Sequence, residues 1–150
     1  KGYAADVRSE KSIAKAVAKL TYAFANANVP KVNVITGEAY GSAYVTMNSK
    51  ALGADVTYAW PDASIGMMDA NEAAKIMYAD DIAKSADVQS VISEKAAEYA
   101  ALQSGVESAA ARGYVDTIIN PEDTRKYVAA AFEMLYTKRE DRPDKKHGTV

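Results

Sequence analysis

The chain has 150 residues, of which 49% are apolar, so it can bury the core of one domain or of part of one. Its 18 basic and 20 acidic residues leave a net charge of −2, which gives no electrostatic basis for binding nucleic acid. The absence of cysteine and the single histidine exclude disulfides, thiolate metal sites and multi-histidine metal sites within this chain. No apolar run approaches the roughly 20 residues of a transmembrane helix, and no signal peptide is recognisable.

Apolar periodicity, interrupted by turn residues, predicts an alternation of helices and strands along the chain. In chain order, the pattern predicts helix 11–27, strand 32–36, helix 41–50, strand 56–60, strand 64–68, helix 71–78, helix 87–102, helix 104–112, strand 114–119 and a helix from residue 121 to 135. Strands that alternate with helices indicate an α/β fold with mainly parallel strands.

Capping residues and composition set the limits of the predicted elements. Asp69 or Asn71 is expected to cap the helix that begins beside them. Pro121 suits the first position of the last helix. The apolar face of that helix is predicted to contain Val128, Ala131, Phe132 and Leu135. We predict a loop over residues 1–10, a folded body over 11–137 and a solvated polar tail over 138–150.

The segment from Val32 to Met47 is predicted to be the functional centre of the chain. An apolar, β-branched run that closes at Gly37 is typical of a short buried strand. A helix is predicted to start among the small residues that follow, Ala39, Gly41, Ser42 and Ala43. A tight turn between a strand and a helix leaves backbone N–H groups unpaired. They can bind a phosphate, a carboxylate or a developing oxyanion, and a purely structural turn is the further alternative.

Two alternatives match this segment weakly. Gly37 and Gly41 form a G-x-x-x-G spacing with no third glycine and no following Lys-Ser/Thr, unlike dinucleotide or phosphate loops. Ser42 occupies the place of a nucleophile at a strand-to-helix elbow, but the glycine on its far side is missing. The one candidate base for Ser42 is His147, in the predicted tail.

An oxyanion hole made of backbone N–H groups needs small residues, so that a ligand can approach the amides closely. It needs no particular side chain. Gly41, Ser42 and Ala43 meet this requirement at the predicted start of a helix.

Several blocks of sequence occur in a distinctive order. Residues 29–44 are V-P-K-V-N-V-I-T-G-E-A-Y-G-S-A-Y, and they are followed by L-G-A-D at 52–55, Y-A-W-P at 58–61 and I-G-M-M at 65–68. These blocks resemble the V-P-K-V-x-V-I-x-x-x-A-Y-G-G-A-Y, L-G-A-D, A-W-P and I-A-V-M motifs of the biotin-dependent acyl-CoA carboxyltransferases. Residues 112–116, 119–125 and 138–148 resemble the closing signature of the same family, so the match covers nearly the whole chain.

The resemblance implies a crotonase-type fold built from β-β-α units, and it places this chain in the later part of the second of two such domains. The chain is therefore expected to be a truncated second domain that begins in a cut loop, without the N-terminal CoA-binding domain of the parent subunit. The resemblance also implies a homo-oligomer and, as a partner, a biotin carboxyl carrier protein. The implied location is cytoplasmic, at the periphery of a membrane complex in the decarboxylase members.

The implied reaction transfers CO2 between carboxybiotin and the α-carbon of an acyl-CoA, in the carboxylase or the decarboxylase direction. By resemblance, the backbone N–H groups of Ser42 and Ala43 form the oxyanion hole for biotin, and Tyr40 and Gly41 complete the biotin site. Ser42 stands where the family has glycine. Val45 is implied to affect substrate specificity, because many carboxylase relatives carry aspartate at this place. No metal is implied.

Two alternatives belong to other classes of protein. The chain could be a non-catalytic oligomerisation module that keeps the crotonase-type fold. It could also be a serine hydrolase that uses Ser42, although the single histidine, His147, argues against this. An intact CoA-binding domain in the same gene would favour the carboxyltransferase, and labelling of Ser42 by an active-site serine probe would favour the hydrolase.

Overall fold

The structure, a computed structural model, describes residues 10–144. The helices are α1 (Glu10–Asn26), α2 (Gly41–Thr46), α3 (Ala70–Met77), α4 (Ala79–Lys84), α5 (Val88–Tyr99), α6 (Val106–Ala111) and α7 (Thr124–Met134). The strands are β1 (Val32–Ile35), β2 (Glu38–Tyr40), β3 (Val56–Ala59), β4 (Ser64–Gly66) and β5 (Thr117–Ile118). The predicted loop over residues 1–10 lies almost entirely outside the described part of the chain.

Two small parallel sheets carry the fold. β3 is the central strand of the first sheet, whose order is β1-β3-β5. In the second sheet β2 pairs with β4, so that Glu38 lies opposite Ser64 and Tyr40 lies opposite Gly66. The chain order β1-β2-α2 followed by β3-β4-α3 makes two successive β-β-α units. The predicted α/β class with parallel strands and β-β-α units is therefore confirmed.

The central strand β3 organises the core, because all four of its residues are buried. Successive side chains of a strand point to opposite faces of the sheet. On one face, Val56 and Tyr58 pack with residues of the C-terminal region, including Ile119 and Ala131. On the other face, Ala59 belongs to the cluster that also contains Ile35, Ala63, Ile65, Val106, Ala109 and Val115.

The structure corrects the prediction around the central turn. Residues 38–40 form strand β2, which was not predicted because three residues are too few to show a period of two. The helix predicted over 41–50 ends at Thr46. Asn48 has a left-handed backbone with φ of 60°, and a 3₁₀ turn over Lys50–Leu52 follows. The chain therefore passes directly from β2 into a short helix.

Other element boundaries also differ from the prediction. The helix predicted over 87–102 is α-helical only to Tyr99 and continues as a π-helical turn, Ala100–Ser104. The strand predicted over 114–119 contains two residues, because only Thr117 and Ile118 pair with β3. Helix α4 was not predicted, and Tyr78, with φ of −114°, separates it from α3.

The C-terminal region departs from the prediction of a solvated tail. Lys138, expected in solvent, donates to a carboxylate oxygen of Asp55 at 2.8 Å. The side-chain amide of Asn28 donates to the carbonyl oxygen of Glu140 at 3.4 Å. Phe132, predicted on the apolar face of α7, is 46% exposed, whereas Ala131 is buried. The start of the tail thus packs against the body, and residues 145–150 lie outside the described chain.

Candidate functional site at the start of α2

The junction between β2 and α2 depends on a glycine. Gly41 has φ of 59°, a backbone conformation that side chains with a Cβ rarely adopt. A Cβ built on Gly41 would lie 2.9 Å from the carbonyl oxygen of Met67, which is a backbone atom and cannot rotate away. Both the backbone angle and the close approach therefore require glycine at this position.

Ser42 and Ala43 follow in the first turn of α2, so their N–H groups have no acceptor within the helix. Tyr40 precedes the helix in an extended conformation, and its side chain makes no capping hydrogen bond. Ser42 is exposed, whereas Ala43 is buried and holds the first turn against the core. The start of α2 consequently presents backbone donors that no side chain caps.

The residues that carry these donors line an open cleft of about 660 Å³. The walls of the cleft come from the end of β2, the start of α2, the Met67–Met68 segment and the start of α3; they include Tyr40, Gly41, Ser42, Ala43, Met67, Met68 and Asp69. All four residues that the resemblance assigns to biotin thus lie together on one cleft. No signal in the sequence indicates that the start of α3 lies opposite these four residues.

A second helix, α3, begins at the same cleft, but its first donors are occupied. The Asp69 carboxylate accepts hydrogen bonds from the N–H groups of Asn71 and Glu72, at 2.8 and 3.1 Å. Asp69 is therefore the cap, as one of the two predicted alternatives stated. Of the two helix starts at this cleft, α2 is the one without a side-chain cap.

Val45 does not line this cleft. It lies on a smaller, more enclosed cavity of about 240 Å³, whose other walls include Tyr44, Met67 and Tyr114. Gly41 and Met67 border both spaces, so the two are neighbours. Burial, and secondarily the nearby Tyr114, raises the pKa of Tyr44, whose hydroxyl is buried with no hydrogen-bond partner among residues 10–144. This hydroxyl therefore stays protonated at neutral pH.

The cleft also carries the acidic side chains of Glu38, Asp69 and Glu72. Within residues 10–144 the Ser42 hydroxyl makes no hydrogen bond to a basic side chain, and His147 lies outside that range. No group of three histidine, cysteine, aspartate or glutamate side chains in the described chain is placed to hold a metal ion. Within the same residues, none of the helices has the length and apolar character needed to cross a membrane. Beside these carboxylates, the cleft offers hydrogen-bond donation from the uncapped first amides of α2.

Comparison with known proteins identifies relatives of this chain. The family profile described as "Carboxyl transferase domain" matches residues 1–150. The propionyl-CoA carboxylase beta chain of Saccharopolyspora erythraea is 48% identical over 137 residues, which cover 89% of this chain and 25% of that protein. The methylmalonyl-CoA decarboxylase subunit alpha of Propionigenium modestum is 45% identical over 133 residues, which cover 89% of this chain and 26% of that protein.

Among solved structures, transcarboxylase 12S superposes with a TM-score of 0.91 and 42% sequence identity, over 98% of this chain and 28% of that chain. That structure is described as a hexamer assembly with methylmalonyl-coenzyme A and methylmalonic acid bound. The likeness confirms the predicted crotonase-type fold. The chain spans about a quarter of the length of the curated relatives it matches.

Proposed function

This chain belongs to the carboxyl transferase domain family, and we propose that it forms the biotin-facing part of an acyl-CoA carboxyltransferase. The proposed reaction moves a carboxyl group between biotin and the α-carbon of an acyl-CoA. The observation that carries the proposal is the uncapped start of α2, which faces an open cleft beside a glycine that nothing larger can replace.

The residues present fit a biotin ureido group. When bound, biotin would supply a ureido nitrogen that carries the carboxyl group and a ureido oxygen that accepts hydrogen bonds. The N–H groups of Ser42 and Ala43 would donate to the ureido oxygen of bound biotin, and the turn and the burial of Ala43 set the positions of these groups. One such preorganised donor contributes on the order of 10²–10³ in rate. Because Gly41 has no side chain, it leaves room for a ligand to approach these amides.

Serine in place of the family's glycine is compatible with this role, because the donor is the backbone N–H and not the side chain. The hydroxyl of Ser42 is exposed at the cleft and narrows it without removing the donor. We assign no acid–base role to Ser42.

The acyl group, the direction of transfer and the partners are parts of the same proposal. The relatives include a carboxylase and a decarboxylase subunit, which supports an acyl-CoA substrate and both directions of transfer. We assign Val45 to substrate selection, where an uncharged side chain favours an apolar acyl group. The partners are a biotin carboxyl carrier protein, a CoA-binding domain and further copies of the subunit in a cytoplasmic or membrane-peripheral complex.

The test is a carboxyl-transfer assay on the complete subunit that contains this chain, with a biotinylated carrier protein carrying a radiolabelled carboxyl group. We expect the label to appear in acyl-CoA, and to return to the carrier when carboxylated acyl-CoA is supplied. A complete subunit that folds and binds acyl-CoA but moves no label in either direction would overturn the proposal. It would leave the non-catalytic oligomerisation module as the explanation.

A further inference from the structure

Helix α2 is too short to hold its own position. It has six residues, and isolated helices below about 12–15 residues are marginal in water. Its C-terminal end meets Asn48, a buried residue with φ of 60°, so the right-handed helical backbone ends there. The direction in which the first amides of α2 point therefore depends on the packing of the helix against the core and on contacts beyond its C-terminal end.

At the far end of α2, the anchor is a charged pair. The Lys50 ammonium pairs with Oδ1 of Asp116. The other carboxylate oxygen, Oδ2, accepts the N–H of Thr57 at 2.8 Å, and the N–H of Asp116 donates to the carbonyl oxygen of Thr57 at 2.8 Å. Thr57 is fully buried in the central strand β3. Asp116 thus ties Lys50 to the buried central strand of the sheet.

Ser49 connects this anchor to the last turn of α2. Its hydroxyl and its N–H both donate to the carbonyl oxygen of Val45, at 3.0 and 3.4 Å. Ser49 is buried and directly precedes Lys50. Ser49 therefore links Lys50 to Val45, which lies three residues after Ser42 in the same helix.

We propose that Lys50 and Asp116 are positioning residues, which set the orientation of α2 and so direct the Ser42 and Ala43 amides into the cleft. The inference rests on the proposed function, since the amides matter only if they bind a reacting oxygen. The pair itself is 31% and 36% exposed. Ion pairs with that exposure contribute little to the stability of a fold, and the effect that we propose for this pair is on the geometry of α2.

The test compares Lys50→Met with Lys50→Arg and Asp116→Asn in the complete subunit. We expect Lys50→Met and Asp116→Asn to lower kcat by about 10- to 100-fold, because a displacement of about 1 Å can cost that much. KM for acyl-CoA should stay within about two-fold, since uniform substrate binding is not changed. Lys50→Arg keeps a cation within reach of Asp116 and should recover most of the activity.

Lys95→Met is the matched control, because Lys95 pairs with Glu98 at 2.9 Å on the surface of α5 with similar exposure. It should leave kcat unchanged. Hydrogen exchange gives a readout that needs no substrate: in Lys50→Met the amides of residues 42–46 should exchange faster, while those of β3 stay protected.

The outcomes separate the two proposals. The positioning role is supported if Lys50→Met lowers kcat and speeds hydrogen exchange in α2, and if Lys50→Arg recovers the activity. Unchanged kcat in Lys50→Met, or equal damage in Lys50→Arg, overturns it even if the wild-type subunit transfers carboxyl groups. If the wild-type subunit shows no transfer activity but the amides of α2 exchange faster in Lys50→Met, the result would support the role of Lys50 in holding α2. It would at the same time overturn the proposed function.

Discussion

The ammonium of Lys138 donates to both carboxylate oxygens of Asp55, at 2.8 and 2.9 Å, although 83 positions separate the two residues. The side chains are only 13% and 19% exposed. Oδ2 of Asp55 also accepts the N–H of Lys31 at 2.8 Å, so one carboxylate joins the segment after α7, the residue before β1 and the residue before β3. This carboxylate is therefore expected to matter for stability.

The first prediction concerns the pH dependence of that contribution. Burial by itself raises the pKa of Asp55, but the hydrogen bonds from Lys138 and from the N–H of Lys31 outweigh it, and the pKa lies below its ordinary value. A carboxyl group whose pKa is depressed by folding stabilises the fold above the unfolded-state pKa, and this stabilisation is lost as the pH falls through the folded-state pKa.

Asp55→Asn should therefore lower the free energy of unfolding at neutral pH by about 1.5–3 kcal/mol, the range for hydrogen bonds to charged groups. The difference between wild type and variant should shrink below about pH 4, where the carboxyl group of an unfolded chain is protonated. Urea unfolding from neutral pH to below about pH 4 measures this difference in the free energy of unfolding. The control is Glu133→Gln, which removes an exposed carboxylate on α7. A difference that stays constant down to acid pH would contradict the assignment.

The second prediction compares two buried threonines, of which one hydroxyl has a hydrogen-bond partner and the other has none in the described part of the chain. The hydroxyl of Thr57 has no partner among residues 10–144, whereas that of Thr46 donates to the carbonyl oxygen of Ser42 at 2.8 Å. Replacing an unsatisfied buried hydroxyl by a methyl group of the same shape removes a desolvation penalty, and replacing a bonded one removes a hydrogen bond.

Thr57→Val should accordingly raise the free energy of unfolding by about 1 kcal/mol, and Thr46→Val should lower it by a similar amount. Urea unfolding of the two variants side by side is the measurement. Equal destabilisation by both substitutions would show that Thr57 has a partner that the structure does not identify.

The third prediction separates backbone strain from steric contact at Gly41. Gly41→Ala should lose stability through both a positive φ and a Cβ at 2.9 Å from the Met67 carbonyl oxygen. Gly113, with φ of 81°, has no atom within 4 Å of an added Cβ, so Gly113→Ala should show strain alone, about 1–2 kcal/mol. Gly37→Ala has neither problem and should be nearly neutral. Thermal unfolding should rank Gly41→Ala as the most damaging, and equal losses at Gly41 and Gly113 would mean that the Met67 segment moves away.

The fourth prediction tests the donor at Ser42 in the complete subunit. Ser42→Gly and Ser42→Ala keep the backbone N–H and should retain most of the carboxyl-transfer activity. Ser42→Pro deletes the N–H in the first turn of α2, which is the part of a helix where proline is least disruptive. It should lower the rate by about 10²–10³, the effect of removing one oxyanion donor.

Circular dichroism and acyl-CoA binding must first show that Ser42→Pro is folded, since strain next to Gly41 would also reduce the rate. If Ser42→Ala is folded and loses as much activity as Ser42→Pro, the hydroxyl carries the role and a nucleophilic serine becomes the better explanation.

The sequence alone determined the features whose physical signal lies among neighbouring residues. Helix α1 and strands β1 and β3 were predicted within about one residue of their ends, because apolar spacing and the adjacent Asn28, Pro30 and Pro61 define them. The predicted biotin residues are contiguous, from Tyr40 to Ala43, so they lie on one cleft once the chain turns there. The ordered motifs identified the family for the same reason, since each is a short run of neighbouring residues.

The tertiary structure alone decided the features that depend on distant partners. β2 is a strand only because it pairs with β4, and three residues by themselves carry no recognisable period. The cleft exists because α3 begins opposite α2, with its own amides already capped by Asp69. Lys138 and the residues after it looked like a solvated tail because nothing in their sequence reveals Asp55. A charged side chain leaves solvent when a partner of opposite charge lies within reach, and that distance is set by the fold of the intervening chain.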